Sequence, residues 1–385
     1  MNRRDFMTTC GAAGVAVVMP GVASAQTASG YDNLLVLVEL KGGNDGLNTV
    51  VPYADAGYYS LRPRIAVARD QVLQLDARSG LHPSLAPLLP LWQARELAVV
   101  QGVGYPQANL SHFRSIEIWD TASKSNEYLA DGWLARAFAG APVPKNFAAD
   151  GVIVGGNEMG PLAGTGTRAI ALANPEQFLK QARLAAPAGA SGNASLAHIL
   201  KVEQDIVQAA SGLSAGHVFR TEFPQGAFGN AVRAAMQVVA SRAPVAAIRV
   251  TLNGFDTHAN QPATQQRLLK ELAEGLAALK GALVELDRWN ATLVMSYAEF
   301  GRRPRENQSG GTDHGTASAH FVTGGRVKGG LYGAPPAIDR LDGNGNLAFA
   351  VDFRELYATV LERWWRVPSQ AALNGRFSPL DVVRA

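Results

Sequence analysis

The stretch 34–40, LLVLVEL, constrains this chain more than any other. It is an apolar run of strand length, which fits a strand buried on both faces. It ends in a polar glycine loop, Lys41-Gly42-Gly43-Asn44-Asp45-Gly46. Comparable strands are expected at 97–101, 246–252, 292–296 and 320–322, with weaker ones at 152–154 and 169–172. Helical patterns fall at 111–122, 175–183, 196–210, 227–241, 262–289 and 353–365. The 262–289 segment carries leucines at 268, 269, 272, 276, 279 and 283, which make one helical face. The segment 82–96 is also helical in pattern, with Pro87 and Pro90 expected to kink or divide it. Alternation of strand and helix implies a parallel sheet covered by helices.

Composition narrows the class. The chain has 385 residues, 47% hydrophobic and 17% charged, which suits one large domain or two modest ones. No repeat or clear boundary divides it, and 186–193 is an Ala-, Gly- and Ser-rich linker. A single domain over 26–385, with a helical insertion around 175–242, is expected. The net charge of +3 argues against nucleic acid as a partner. No stretch reaches roughly 18 apolar residues, so no membrane span is expected in the mature chain. Residues 1–25 read as a twin-arginine signal peptide. Arg3-Arg4 is followed by an apolar run and by the small-residue cleavage signal Ala23-Ser24-Ala25. The translocase is then a partner during export, and the destination is periplasmic or secreted. The one cysteine, Cys10, lies inside that signal. Thiolate chemistry and cysteine ligands are therefore not expected, and a metal would be held by oxygen and imidazole.

The strongest local signal is 311–320, GTDHGTASAH, read as a loop between strands. Asp313, His314 and His320 are ligand-type residues, and the small neighbours allow close approach. Upstream, Asp256 and His258 stand in NGFDTHANQ after a strand, where Asp-x-His in an extended segment points both side chains the same way. Asp45 follows the first strand, although Asn-Asp-Gly is equally turn chemistry. Ser111, in NLSHFRS, stands at a helix start and serves equally as an N-cap or a nucleophile. His112 beside it is either a further ligand or a surface residue. In EFGRR, Arg302 or Arg303 can bind an oxyanion bidentately or simply be solvated, and Arg302 is assigned here. Two patterns are set aside. Gly212-Leu213-Ser214-Ala215-Gly216 matches a nucleophile elbow but follows a helical segment rather than a strand. Asp342-Gly343-Asn344-Gly345-Asn346 begins like a calcium loop but has Phe353 where a Glu is needed.

Taken in order, Asp45, Ser111, Asp256, His258, Asp313, His314 and His320 resemble the site of the alkaline phosphatase superfamily. The resemblance implies an alkaline-phosphatase-like doubly wound α/β fold, mostly parallel, with helices on both faces. It further implies two divalent metal ions, zinc or manganese best suiting the donors. Asp45, Asp313 and His314 would hold one, and Asp256, His258 and His320 the other, with Ser111 as nucleophile; the catalytic role of Arg302 rests on the oxyanion reading above. More closely, the chain resembles the twin-arginine-exported "domain of unknown function 1501" family. LVELKGGNDGLNTVVPY, LHPSLAPLLPLWQARELAVVQGVGYP, SHFRS, GFDTHANQ, EFGRRPREN and GTDHGTASAHFVTGG carry that likeness. The expected activity is hydrolysis of a phosphate or related ester, in a small molecule or a polymer. The alternatives are a non-catalytic, metal-stabilised binding or assembly protein and a sulfatase-like glycan hydrolase. Ser111 has no proline two residues on, which disfavours a formylglycine sulfatase.

Overall fold

The computed structural model describes residues 30–172, 216–241 and 244–384. The signal peptide with Cys10, the segments 175–183, 186–193 and 196–210, and Ser214 lie outside the described residues. Among the described residues no helix is long and apolar enough to cross a membrane.

The first strand, β1 (Leu34–Lys41), runs one residue past the expected 34–40 and is buried up to Leu40. It leads into α1 (Gly46–Thr49), β2 (Val50–Val51) and α2 (Ala56–Leu61), then β3 (Leu73–Gln74) and β4 (Gly80–Leu81). The segment expected to be divided by prolines is a 3-10 turn, Pro83–Leu88, running into α3 (Leu89–Gln93). Then follow β5 (Leu97–Gly104), α4 (His112–Thr121), α5 (Trp133–Gly140), β6 (Ala149–Val154) and β7 (Ala169–Leu172). The last third holds α6 (Ala227–Ala240), β8 (Val245–Asn253), α7 (Gln261–Glu285) and β9 (Thr292–Tyr297). After these come β10 (Gly301–Glu306), β11 (Thr312–Gly315), β12 (Ser318–Thr323), β13 (Gly330–Tyr332), β14 (Val351–Asp352) and α8 (Phe353–Ala358). A π-helical turn, Thr359–Trp364, continues α8.

The central sheet runs β13-β5-β12-β9-β1-β8-β6-β7, with β14 also pairing β5. β1 lies between β8 and β9, parallel to both. Its period of two divides the core. Leu34, Val36, Val38 and Leu40 share one cluster with Leu268, Leu269, Leu272, Leu276, Leu279 and Leu283 of α7. Leu35 and Leu37 face the other, with Trp119 of α4, Trp133 of α5 and Trp365. Helices therefore cover both faces. Each buried Leu or Val contributes roughly 1.5–3 kcal/mol against leaving it exposed.

Three features differ from the sequence reading. β12 is antiparallel to both β5 and β9. The chain reaches it from β9 through β10 and β11, without a crossover helix to return it to the starting edge. β10 and β11 pair as an antiparallel hairpin, so Asp313 and His314 sit on a strand and not in an open loop. α5 was not anticipated, although its buried Trp133, Leu134, Ala137 and Phe138 repeat at helical spacing.

Candidate metal centre

β1, β5, β8 and β9 run parallel, and the segments after their carboxyl ends meet in one place, as open α/β sheets dictate. β5 leads to His112 at the start of α4, β8 to Asp256 and His258, and β9 to Glu299. The hairpin delivers His314. Glycine permits this convergence. Gly42 has φ +114°, and a Cβ there would meet the Asp256 nitrogen at 2.4 Å. A Cβ on Gly311 would lie 2.4 Å from the His258 carbonyl carbon.

Asp256 is the hub. Its Oδ1 lies 3.1 Å from His258 Nε2 and 3.2 Å from His314 Nε2, and its Oδ2 lies 3.4 Å from His112 Nε2. The two Nε2 atoms of His258 and His314 are 2.9 Å apart. Ligand atoms of His112, Asp256 and His314 all fall within 4.8 Å of one another. The outer ring nitrogens are also engaged. His112 Nδ1 lies 2.9 Å from Glu299 Oε1, and His314 Nδ1 lies 2.7 Å from the Leu110 carbonyl oxygen. His258 Nδ1 faces Asp313 Oδ1 at 3.6 Å.

A carbonyl oxygen only accepts, so His314 Nδ1 donates to Leu110, and a neutral His314 then turns a lone pair inward from Nε2. Donation from His112 to Glu299 has the same effect on its Nε2. These lone pairs point at a carboxylate and at another imidazole nitrogen, an arrangement that asks for a cation. Imidazoles with the far nitrogen held by a carboxylate or carbonyl are the usual dress of metal ligands. The donor set fits a metal.

The electrostatics agree. Burial acts to raise the Asp256 carboxyl, but the hydrogen bond and charge of Arg302 outweigh it, lowering the group to about 2. Burial lowers His314, against the opposing effect of its bond to Leu110. Both shifts favour the ligand forms, carboxylate and neutral imidazole.

The other expected site residues are placed differently. Asp45 is buried and caps α1, accepting from Leu47 N. Arg62 grips both its oxygens, at 2.6 and 3.1 Å, and Gln261 also donates to Oδ2. It stands in a buried ion pair, not in the cluster. His320 is fully buried on β12, its ring 5.5 Å from that of Trp119, and neither of its nitrogens has a partner. Spacing placed it six residues from His314, but β12 runs into the sheet and carries it into the core. Asp313 is half-exposed and sits outside the imidazoles, beside His258 and Asn307. Arg302 is buried and not open to an oxyanion. It donates to the carbonyls of Gly42, Gly43, Phe255 and Thr312 and, at 2.7 Å, to Asp256 Oδ1. Ser111 occupies the N-cap position of α4, exposed, with no side-chain capping bond. Of the residues singled out in the sequence, Asp256, His258 and His314 come together, with Asp313 beside His258, and Ser111 immediately precedes His112 in the chain. His112 joins them from the even choice left open above. Glu299 gave no sequence signal beyond its position after a strand. The calcium-like segment is a turn, with Asp342 accepting from Asn344 and Asn346.

The architecture is thus an open, mostly parallel α/β sheet with an imidazole and carboxylate cluster outside its carboxyl edge. Residues 78–374 match the model of a family described as protein of unknown function (DUF1501), and the chain belongs to that family. No curated protein matches by sequence. Among solved structures, one similar to this chain is a protein in the alkaline phosphatase superfamily from Vibrio parahaemolyticus. It is 10% identical, with a TM-score of 0.42, over 90% of this chain and 70% of that one. The PsFucS1 sulfatase from Pseudoalteromonas sp. is 10% identical, with a TM-score of 0.38, over 91% and 70%. The C-terminal periplasmic domain of EcEptC from Escherichia coli, in complex with Zn, is 12% identical, with a TM-score of 0.36, over 76% and 73%.

Two stability measurements follow from these placements. Arg62→Ala strands the Asp45 carboxylate in the interior and is expected to cost roughly 3–5 kcal/mol in denaturant unfolding. A loss under about 0.5 kcal/mol, the range of surface substitutions, would show that the pair is not structural. Burial lowers His320 from 6.5 to about 3, and His82 to about 4. The unfolded chain therefore takes up protons below about pH 6.5 that the folded chain refuses, and stability falls as pH drops toward 3. His320→Phe is expected to flatten that fall. An unchanged slope of Tm between pH 7 and pH 4 would rule His320 out as its source.

Proposed function

We propose that this chain is an exported, metal-dependent hydrolase of phosphate or related esters, built on a centre held by His112, Asp256, His258 and His314. The supporting observation is the inward convergence of three Nε2 atoms on one carboxylate, each imidazole backed by an acceptor on its far side. Zinc or manganese suits this donor set, and such an ion supplies Lewis-acid polarisation of an ester oxygen. The two-metal arrangement expected from the sequence drew on Asp45 and His320. With Asp45 in its ion pair and His320 in the core, the geometry favours one ion.

The chain's own residues divide the remaining work. Glu299 and the Leu110 carbonyl orient His112 and His314, and Arg302 keeps Asp256 ionised and aimed. Ser111 stands beside His112 at the start of α4, where unpaired backbone N–H groups and the helix dipole favour an anion. Its hydroxyl is the nucleophile: the Ser111 oxygen bonds to the phosphorus as the bond from phosphorus to the alcohol oxygen breaks, the serine proton passes to that leaving oxygen, and water then breaks the P–Oγ bond, releasing phosphate and returning a proton to the serine.

Protein purified without affinity-tag metals, from the periplasm, is expected to hold about one zinc or manganese per chain by elemental analysis. Asp256→Ala and His314→Ala are expected to lose it, His320→Phe to keep it, and Glu299→Gln to weaken it about 10–100-fold. Ser111→Ala should keep the metal and lose turnover of 4-nitrophenyl phosphate. Unchanged turnover in Ser111→Ala would remove the serine from the mechanism. Two metals per chain would restore a dinuclear site. A bound metal with no ester turned over would favour the non-catalytic binding protein.

A further inference from the structure

Beside the centre opens a cleft of about 780 Å³, with His112, Asp256 and Glu299 at one end and Asp120 and Glu158 further along. That volume accommodates a whole small molecule, not a single oxyanion. His112 and Asp120 are eight residues apart on α4, so the cleft runs about 12 Å along that helix from the centre.

The charges along the cleft are already matched. Lys41 pairs with Glu158 at 2.7 Å, Glu117 with Arg114 at 2.9 Å and Asp256 with Arg302 at 2.7 Å, while Glu299 Oε1 accepts from His112 Nδ1 and from the Gly42 N–H, each at 2.9 Å. Among the described residues, the lysine lining the cleft is already paired, and Glu117, Glu158 and Asp256 each have a cationic partner. Asp120 also lines the cleft, and its Oδ1, like Oε2 of Glu299, is buried without a hydrogen-bond partner. Burial pushes the Asp120 carboxyl up to about 8, against the opposing charge of Arg249, and this favours the protonated form, which can both donate and accept. Apolar surface completes the lining. Ile116 and Leu129 contribute to it, and at the mouth the Phe113 ring is 88% exposed. The Phe113 ring thus offers an apolar face beside the cleft on which a bound ring can stack.

We infer that this cleft holds the alcohol side of the ester, and that it selects an uncharged, hydroxyl-bearing ring, which stacks on Phe113 and is read through a hydroxyl by Asp120. The inference rests on the ester-hydrolase reading, since it takes the centre as the place where the ester is cut. Phe113 and Asp120 act here as specificity residues and take no part in bond breaking.

The test compares phosphate esters that differ only in the charge of the alcohol, using the metal-loaded full chain. The esters are α-D-glucose 1-phosphate (neutral ring), phosphoethanolamine (cationic) and 3-phosphoglycerate (anionic), with methyl phosphate as the small reference. The neutral ring ester is expected to lead in kcat/KM by at least about tenfold, the worth of about 1.4 kcal/mol. Phe113→Ala and Asp120→Ala should each raise its KM several-fold, while methyl phosphate turnover stays unchanged. A lead for either charged ester would overturn the inference. So would variants that affect all esters equally or none. If no ester is turned over, the hydrolase reading fails, and binding then decides. Isothermal titration with methyl glucoside, methyl galactoside and methyl mannoside should show uptake of at least one, lost in Phe113→Ala. No uptake of any would overturn the cleft assignment as well.

Discussion

One buried guanidinium holds this site together. Arg302 reaches the loop after β1 through Gly42 and Gly43, the segment after β8 through Phe255 and Asp256, and the hairpin through Thr312. A charge taken out of water is costly unless its donors are met, and here each guanidinium nitrogen has a partner. Three separately folded segments are thereby fixed against one another. The same contact sets the chemistry, because the oxygen of Asp256 that Arg302 holds is the one facing His258 and His314. Arg302 is a buried cation whose charge reaches the cluster through Asp256.

The imidazoles are fixed by a different rule. Their anchors come from different elements: Glu299 follows β9, Leu110 precedes α4 and Asp313 lies on β11. No single segment can orient the cluster alone, so its geometry is a property of the assembled sheet edge. Phe300 lies against the His112 and His314 rings, with centroids 4.9 and 4.3 Å away, and excludes water from one side. Rigid support of this kind lets exposed loops carry a defined constellation.

Much of this was legible in the sequence. The apolar run at 34–40 announced a doubly covered strand, the leucine spacing of 262–289 announced its helix, and Asp256-x-His258 announced two side chains on one side. What could not be read is which of the ligand-type residues gather in one cluster. Asp45 has a metal ligand's chemistry, but Arg62, seventeen positions on, claims it across a fold that spacing does not reveal. His320 has a ligand's identity and a core residue's environment, because the antiparallel β12 buries it. His112 was undecided for the opposite reason. A histidine at a helix start is common, and only the distant Glu299 shows that its far nitrogen is held.

The place of β1 in the sheet bears on how the chain is made. Its two neighbours are β8, where Leu35 meets Ala247, and β9, where Leu34 meets Thr292. The central strand therefore has no partner until more than half of the polypeptide has left the ribosome. Pairings this distant in sequence are slow to form, because the intervening chain must be closed into a loop before any contact rewards it. Folding of the core is consequently a late event, completed after synthesis. Until then the apolar run of β1 stands open to wrong partners, and a chain built this way depends on being kept from aggregating while it waits.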